Sequence, residues 1–318
     1  MKEALVDQLI ELAAADSRML VLTADLGFGM FERFSERFPK QFINVGVAEQ
    51  NMTGVATGLA LDGRIVFTYS IANFPTLRCL EQIRNDACYH GANVKIIAVG
   101  AGFSYGALGM SHHATEDIGV VRSLPELTLF SPGDNWEAAQ CTAAAAKQPG
   151  TCYLRFDKGS QLNTGRAEES FEIGRARRLR DGFDATLAVT GGMLGETLAA
   201  ADLLAAQGID CRVLSFPTIK PLDIDALAAA ALETGGLFTV EEHTIEAGFG
   251  GAVAEQLLET GAVPRTFHRF GLRAGFSSVV GSQSYLRRIY GFDAESIATG
   301  VVERLRSTAR RPRIRGAA

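Results

Sequence analysis

Helix-period and strand-period segments alternate along this chain from end to end, and few folds accept that pattern. The spacing predicts a helix over "KEALVDQLIELAAA", a buried strand over "RMLVLTADL", a short amphipathic helix over "MFERFSERFP" and a strand over "QFINVG". A small-residue helix opens at Glu49, followed by strand "RIVFTYS", helix "PTLRCLEQIRNDACYH" and strand "NVKIIAVGAG". After a polar, glycine-rich loop over 100–117 come strand "LTLFSPGD", a helix over "WEAAQCTAAAAKQ" that Asp134 or Asn135 can cap, and a strand in "TCYLRFDKG". Between 158 and 183 the pattern lapses into polar sequence without periodicity, which reads as a domain junction. A smaller unit then repeats the alternation, with strands "ATLAVTGG", "CRVLSFPTI", "GLFTVEEH" and "TFHRFGL" between helices, and a terminal helix containing "AESIATGVVERLRS". The fold class is therefore α/β, with two domains, each a mainly parallel sheet flanked by helices. The first domain is placed at 1–165, a linker at 166–185 and the second domain at 186–318.

At 318 residues the chain is long enough for two full cores, and 47% hydrophobic content with 21% charge belongs to a globular protein. A net charge of −5 gives no reason to expect nucleic acid or an anionic membrane as partner. The amphipathic, acidic N-terminus does not read as a signal peptide, and no apolar run reaches the ~20 residues that span a bilayer. Five cysteines (Cys79, Cys88, Cys141, Cys152 and Cys211) form no CxxC pair and are odd in number. They read as buried free thiols in a reducing cytoplasm. The tail "RSTARRPRIRGAA" reads as a frayed, solvated terminus.

Familiar catalytic motifs are missing. No GxGxxG opens a helix after the first strand, there is no P-loop or HExxH, and "GAGFSYG", which holds a GxSxG spacing at 102–106, runs into a loop rather than a helix. One residue stands out. Glu49 begins a helix rich in Ala, Gly, Val, Leu and Met. It is either a helix-start carboxylate facing water or a buried acid held for chemistry.

The order of landmarks bears on that choice. "LTADLG", "NVGVAEQNM", "SIANF", "MSHHATEDIGVVRSLPELTLFSPGD" and "CYLRFDKG" follow one another in the first half; "VTGG", "FPTIKPLD" and "VEEHTIEAGFGG" follow in the second. This series resembles the pyrimidine-binding domain and C-terminal domain of the transketolase family, which includes the deoxyxylulose-phosphate synthases, over essentially the whole chain. The resemblance implies a thiamine diphosphate-binding fold and ketol transfer between sugar substrates. It also exposes an absence. Enzymes of this kind hold the diphosphate through Mg²⁺ on a GDG motif with a downstream Asn, and no GDG occurs here. The chain is thus expected to be the C-terminal half of a split transketolase, with no metal ligands of its own. An N-terminal subunit carrying GDG…N and the Mg²⁺ would complete an α2β2 assembly. The rival readings are a deoxyxylulose-phosphate synthase-like enzyme, a 2-oxo acid dehydrogenase β subunit and a silent assembly subunit.

The resemblance assigns roles residue by residue. Glu49 matches the glutamate that hydrogen-bonds the pyrimidine ring nitrogen of thiamine diphosphate, where a desolvated, proton-sharing carboxyl favours the imino tautomer. His112 matches the histidine facing substrate hydroxyls, and His113 stands where the family often has Gln. Phe74 and Ile71 match the apolar ring pocket, and Asp25 a position near the thiazolium. Arg155 matches an arginine that binds the substrate phosphate. Gly29 stands where a serine is common, Gly100 where transketolases place a second histidine, Leu108 where they carry an aspartate, and Lys2 takes the place of an arginine. These departures point to a different sugar or a modified terminal group.

Overall fold

The computed structural model describes residues 1–159, 161–273 and 275–309. Twelve strands form among them: β1 Met19–Thr23, β2 Phe42–Asn44, β3 Ile65–Ile71, β4 Val94–Val99, β5 Leu127–Phe130, β6 Thr151–Phe156, β7 Arg177–Arg180, β8 Ala185–Val189, β9 Cys211–Ser215, β10 Thr218–Lys220, β11 Leu237–Thr244 and β12 Phe267–Leu272. They build a seven-stranded sheet in the order β10-β5-β6-β4-β3-β1-β2 and a five-stranded sheet in the order β12-β11-β8-β9-β7. Only β10 against β5 and β7 against β9 run antiparallel.

The continuous apolar runs of β1, β4 and β6 are buried along their whole length because helices cover both faces of the sheet. Period-2 alternation divides their side chains. Met19 and Val21 pack with Phe67 and Ile97 on the face covered by the Lys2–Ala15 and Asn135–Lys147 helices. Leu20 and Leu22 join Val66 and Ile96 on the other face, where Met52, Ala56 and Ala60 of the Glu49–Leu61 helix fill the space. Lys95 lies inside β4 with no exposure, and its ammonium is held by the carbonyls of Gln148 and Gly150 at 2.6 and 2.5 Å. Asp134 caps its helix by accepting from the Glu137 amide, so of the two candidate caps it is the one used.

Three features depart from the sequence reading. Residues 177–180, inside the segment read as linker, form β7 on the edge of the second sheet. Four residues reading "RRLR" carry no period-2 apolar signal; Arg177 is buried instead through its ion pairs with Glu137 and Glu169. The "FPTIK" stretch leaves the second unit and pairs Thr218 and Lys220 with Phe130 and Leu129, tying the two sheets together. The helix expected over 75–90 is broken: it is helical over Asn73–Thr76 and Leu80–Gln82 and widens into a π turn over Ile83–Cys88. The break falls at Cys79, whose thiol donates to the Phe74 carbonyl at 3.3 Å. All five cysteines are buried and unpaired. The basic tail beyond residue 309 lies outside the described residues.

Candidate active site

Parallel strands β1, β2, β3, β4 and β6 end on the same edge of the sheet, and the chemistry-bearing residues follow those ends. Asp25 and Gly29 come after β1, Glu49 after β2, Ile71 to Arg78 at and after β3, Gly100 to His112 after β4, and Lys158 after β6. The carboxyl edge of an open α/β sheet is where loops converge without blocking the strands, so sites form there.

Glu49 is the first residue of its helix, yet only 2% of it is exposed and it does not cap that helix. Its Oε2 accepts from Nη1 of Arg78 at 2.7 Å. The Arg78 guanidinium lies over the Phe74 ring, 4.6 Å from its centroid. Phe74 in turn meets the His112 ring edge-on at 5.3 Å. His112 is half-buried; its Nδ1 stands 3.0 Å from the Ser111 hydroxyl. Burial, and then the neighbouring His113, holds its imidazole below the ordinary histidine range. A hollow of about 310 Å³ opens beside these groups, lined by Asn73, Phe74, Arg78, Ser111, His113 and Phe276. Asn73 fixes the hollow's wall by donating to the carbonyls of Ser111 and His113 at 3.2 and 2.8 Å.

From His112 the contacts run on to Tyr105, 6.3 Å away between ring centroids, and then to Lys158, whose ammonium sits 4.5 Å above the Tyr105 ring. Gly100, at φ +117°, makes this possible: a Cβ there would lie 2.5 Å from the Tyr105 ring. Tyr105 therefore fills the space that a side chain at position 100 would need. Ile71 borders the same point, its Cγ2 3.8 Å from that Cβ position. Lys2, half-buried at the start of the first helix, is pushed below the usual lysine range by desolvation and by the like charge of Lys158.

Residues 1–162 match the transketolase pyrimidine-binding domain, and residues 174–297 match the transketolase C-terminal domain. The chain belongs to the transketolase family. It is 36% identical to the 6-deoxy-6-sulfo-D-fructose transketolase subunit of a Clostridium species, over 95% of this chain and 94% of that protein. An apulose-4-phosphate transketolase subunit of Actinobacillus succinogenes is also 36% identical, over 83% of this chain and 85% of the relative. A solved structure described as a split gene transketolase, an inactive β4 tetramer, superposes with a TM-score of 0.85 at 34% identity, covering 96% of this chain and 97% of that one. The match to 1-deoxy-D-xylulose-5-phosphate synthase of Heliobacterium modesticaldum covers 92% of this chain but only 45% of the synthase.

Against the roles that the transketolase resemblance assigned, the structure brings Glu49, Phe74 and His112 together, with Ile71 on the border and Lys2 within reach of the like charge of Lys158. Arg155 is a correction. It is 2% exposed, its Nε is 2.8 Å from Asp117 Oδ2, and its Nη2 donates to the carbonyls of Ala114 and Glu242 at 3.0 Å each. A guanidinium enclosed in that way is not offered to a substrate phosphate. All six residues of β6 are buried, and the first residue past the strand to reach solvent is Lys158. Asp25 and Gly29 stay on the exposed loop after β1. Asp25, at φ +55°, is held by Asn44 through two hydrogen bonds of 3.0 Å, and the Gly29 amide donates to Glu32 at 2.7 Å. Leu108 exposes its apolar side chain, and His113 is buried with Nε2 on the Gly106 carbonyl at 3.1 Å and Nδ1 without a partner.

Sequence reasoning missed Arg78, Tyr105 and Lys158. Arg78 carried no signal, because it lies in the turn between the Asn73–Thr76 and Leu80–Gln82 helices, where no helical spacing relates it to Phe74. For Tyr105 the signal was the unoccupied Gly100; for Lys158 it was the position just past a strand end.

The transketolase family depends on thiamine diphosphate, and the residues here fit one part of it. A dry carboxylate beside an aromatic face suits the nitrogen edge and the flat face of an aminopyrimidine ring. Among the described residues no group of three His, Cys, Asp or Glu side chains is placed to hold a metal ion. No helix among them is long and apolar enough to cross a membrane.

Proposed function

We propose that this chain is the C-terminal subunit of a split, thiamine diphosphate-dependent transketolase that transfers a two-carbon ketol unit between sugars carrying a terminal anion. The clustering of Glu49, Phe74 and His112 at the carboxyl edge of the sheet, linked through Arg78, carries this reading. Its near-complete coverage of a relative named as a transketolase subunit, against less than half of the synthase, favours a subunit of a split enzyme. An N-terminal partner supplies the Mg²⁺ and the diphosphate site, in an α2β2 assembly. The five buried, unpaired thiols suit a reducing cytoplasm.

When bound, thiamine diphosphate supplies the electron sink for the two-carbon fragment. This chain's own residues do the placing. Phe74 and Ile71 give the ring an apolar face, and Glu49 holds a proton at the ring nitrogen in a site dried by its small-residue helix. His112, whose imidazole is held below the ordinary histidine range by burial and by His113, faces the substrate hydroxyls. The anion of the substrate falls at Lys158 and Lys2, taking the part first assigned to Arg155.

The test is reconstitution. Turnover of a ketose phosphate is expected only when this chain, Mg²⁺, thiamine diphosphate and an N-terminal subunit containing GDG are combined. Full activity of this chain alone, or none in a well-formed complex with that subunit, refutes the reading.

Lys158→Ala separates binding from chemistry. A charge-assisted contact to phosphate lost from the ground state and transition state alike raises KM about 10- to 100-fold with kcat retained. Steady-state kinetics with a phosphorylated and an unphosphorylated ketose check it, since only the first should respond.

A further inference from the structure

Arg78 has no part in the proposed chemistry, although it touches two of the main residues. Its Nη1 donates to Glu49 at 2.7 Å, and its guanidinium lies 4.6 Å over the Phe74 centroid. Its side chain is 46% exposed while that of Glu49 is 3% exposed, so Arg78 reaches in from solvent to cover a buried acid. A guanidinium is flat, delocalised and rimmed with N–H donors, and it stacks on aromatic faces. Those are also the properties by which a protein recognises an aminopyrimidine. One planar group already occupies the ring face and the carboxylate oxygen that the other would use.

We propose that Arg78 is a positioning residue that fills the ring pocket of the isolated subunit, and that it leaves Glu49 when the aminopyrimidine of the cofactor enters. This rests on the proposed function for the identity of the ligand, but adds what keeps the pocket shaped and closed beforehand. Glu49 supplies the physical reason. A buried carboxylate needs a counter-charge while the ring is absent, and Arg78 provides it from the rim. The same pairing occupies the oxygen that must face the ring nitrogen. The acid can share a proton with that nitrogen only after the guanidinium has withdrawn. Arg78 has room to do so, because its outer half is in solvent and the hollow beside Phe74 is open. The apparent affinity of the isolated chain is then reduced by the fraction of molecules in which Arg78 sits in place.

Binding of thiamine diphosphate to the isolated full-length chain, followed by calorimetry, tests this without any turnover. Arg78→Ala should bind about tenfold more tightly than wild type, the size expected for losing a half-exposed charged competitor. Arg78→Lys, which keeps charge but lacks the planar stack, should fall between. Guanidinium ion added at millimolar levels should refill the vacated space, competing with the cofactor in Arg78→Ala and not in wild type. Near-ultraviolet circular dichroism confirms that each variant is folded. Equal or weaker binding by Arg78→Ala overturns the proposal and makes Arg78 a cofactor ligand or a plain structural ion pair. If neither isolated protein binds measurably, the same titration on each complex with the N-terminal subunit decides, and equal or weaker binding by Arg78→Ala there overturns the proposal. Guanidinium that fails to compete has the same force. Failure of the transketolase reading is seen elsewhere, as absent turnover in the complex with the partner subunit, whatever Arg78 does.

Discussion

Glu49→Ala is expected to lower turnover of the reconstituted enzyme by about 10²–10⁴-fold, the range for loss of a positioned proton-transfer group. Two accounts of this residue compete, and they differ in what the substitution does. A helix-start carboxylate facing water stabilises its helix by about 0.3–1 kcal/mol and nothing more. Its loss would shift stability slightly and leave turnover alone. The structure makes that account hard to hold, because Glu49 is 2% exposed and makes no capping bond to its own helix. The carboxylate is directed across to the β3–β4 connection, where Arg78 and Phe74 stand. Glu49→Gln sharpens the comparison. The amide keeps the shape and one hydrogen bond but cannot exchange a proton, so it should fold like wild type and retain weakened cofactor binding with low turnover. Single-turnover kinetics and calorimetry on the same preparations would read both quantities. Turnover within a factor of two of wild type for the Ala variant removes the acid from the chemistry.

The fold was largely legible in the sequence because parallel sheets write themselves as apolar runs between helices. The β1, β4 and β6 segments are buried along their full length, which is what their unbroken hydrophobicity predicts. What could not be read was structure made by charge. β7 is an edge strand whose inward residue is Arg177, satisfied by Glu137 and Glu169 rather than by apolar contact. The site divides along the same line. Glu49 was conspicuous as an acid on an apolar helix and Phe74 as an aromatic just after a strand, and their neighbours in sequence sufficed to single them out. Arg155 was misread for a physical reason. An arginine at a strand end facing a substrate and an arginine facing a buried aspartate look the same until the strand's register is known. Here every residue of β6 is buried, Arg155 with them, and the first exposed side chain is Lys158, two residues past the strand end.

Asp117→Ala is expected to destabilise the folded chain by about 3–5 kcal/mol, because it leaves the Arg155 guanidinium buried and uncompensated. Asp117 is 1% exposed and Arg155 2% exposed, with 2.8 Å between them. Burial works against the arginine's charge, yet Asp117 outweighs it and holds the guanidinium above its ordinary value. The Tyr153 hydroxyl adds a bond to Asp117 at 3.2 Å, and Arg155 carries the tie onward to the Glu242 carbonyl in β11. The Glu242 carboxylate holds Arg287 at 2.9 Å and Gln283 at 2.8 Å, so one buried chain of charges joins the two sheets. Breaking it at Asp117 should loosen both halves together, seen as a single urea transition moved to lower concentration. Replacing both partners, as in Asp117→Leu with Arg155→Met, removes the unpaired charge and should recover much of the loss. That recovery is the discriminating result. If Arg155 held the substrate phosphate, the double variant would stay crippled in KM for phosphorylated sugars however well it folded. If Arg155 is a strut between domains, the double variant binds such sugars nearly as well as wild type, because the anion rests on Lys158 and Lys2.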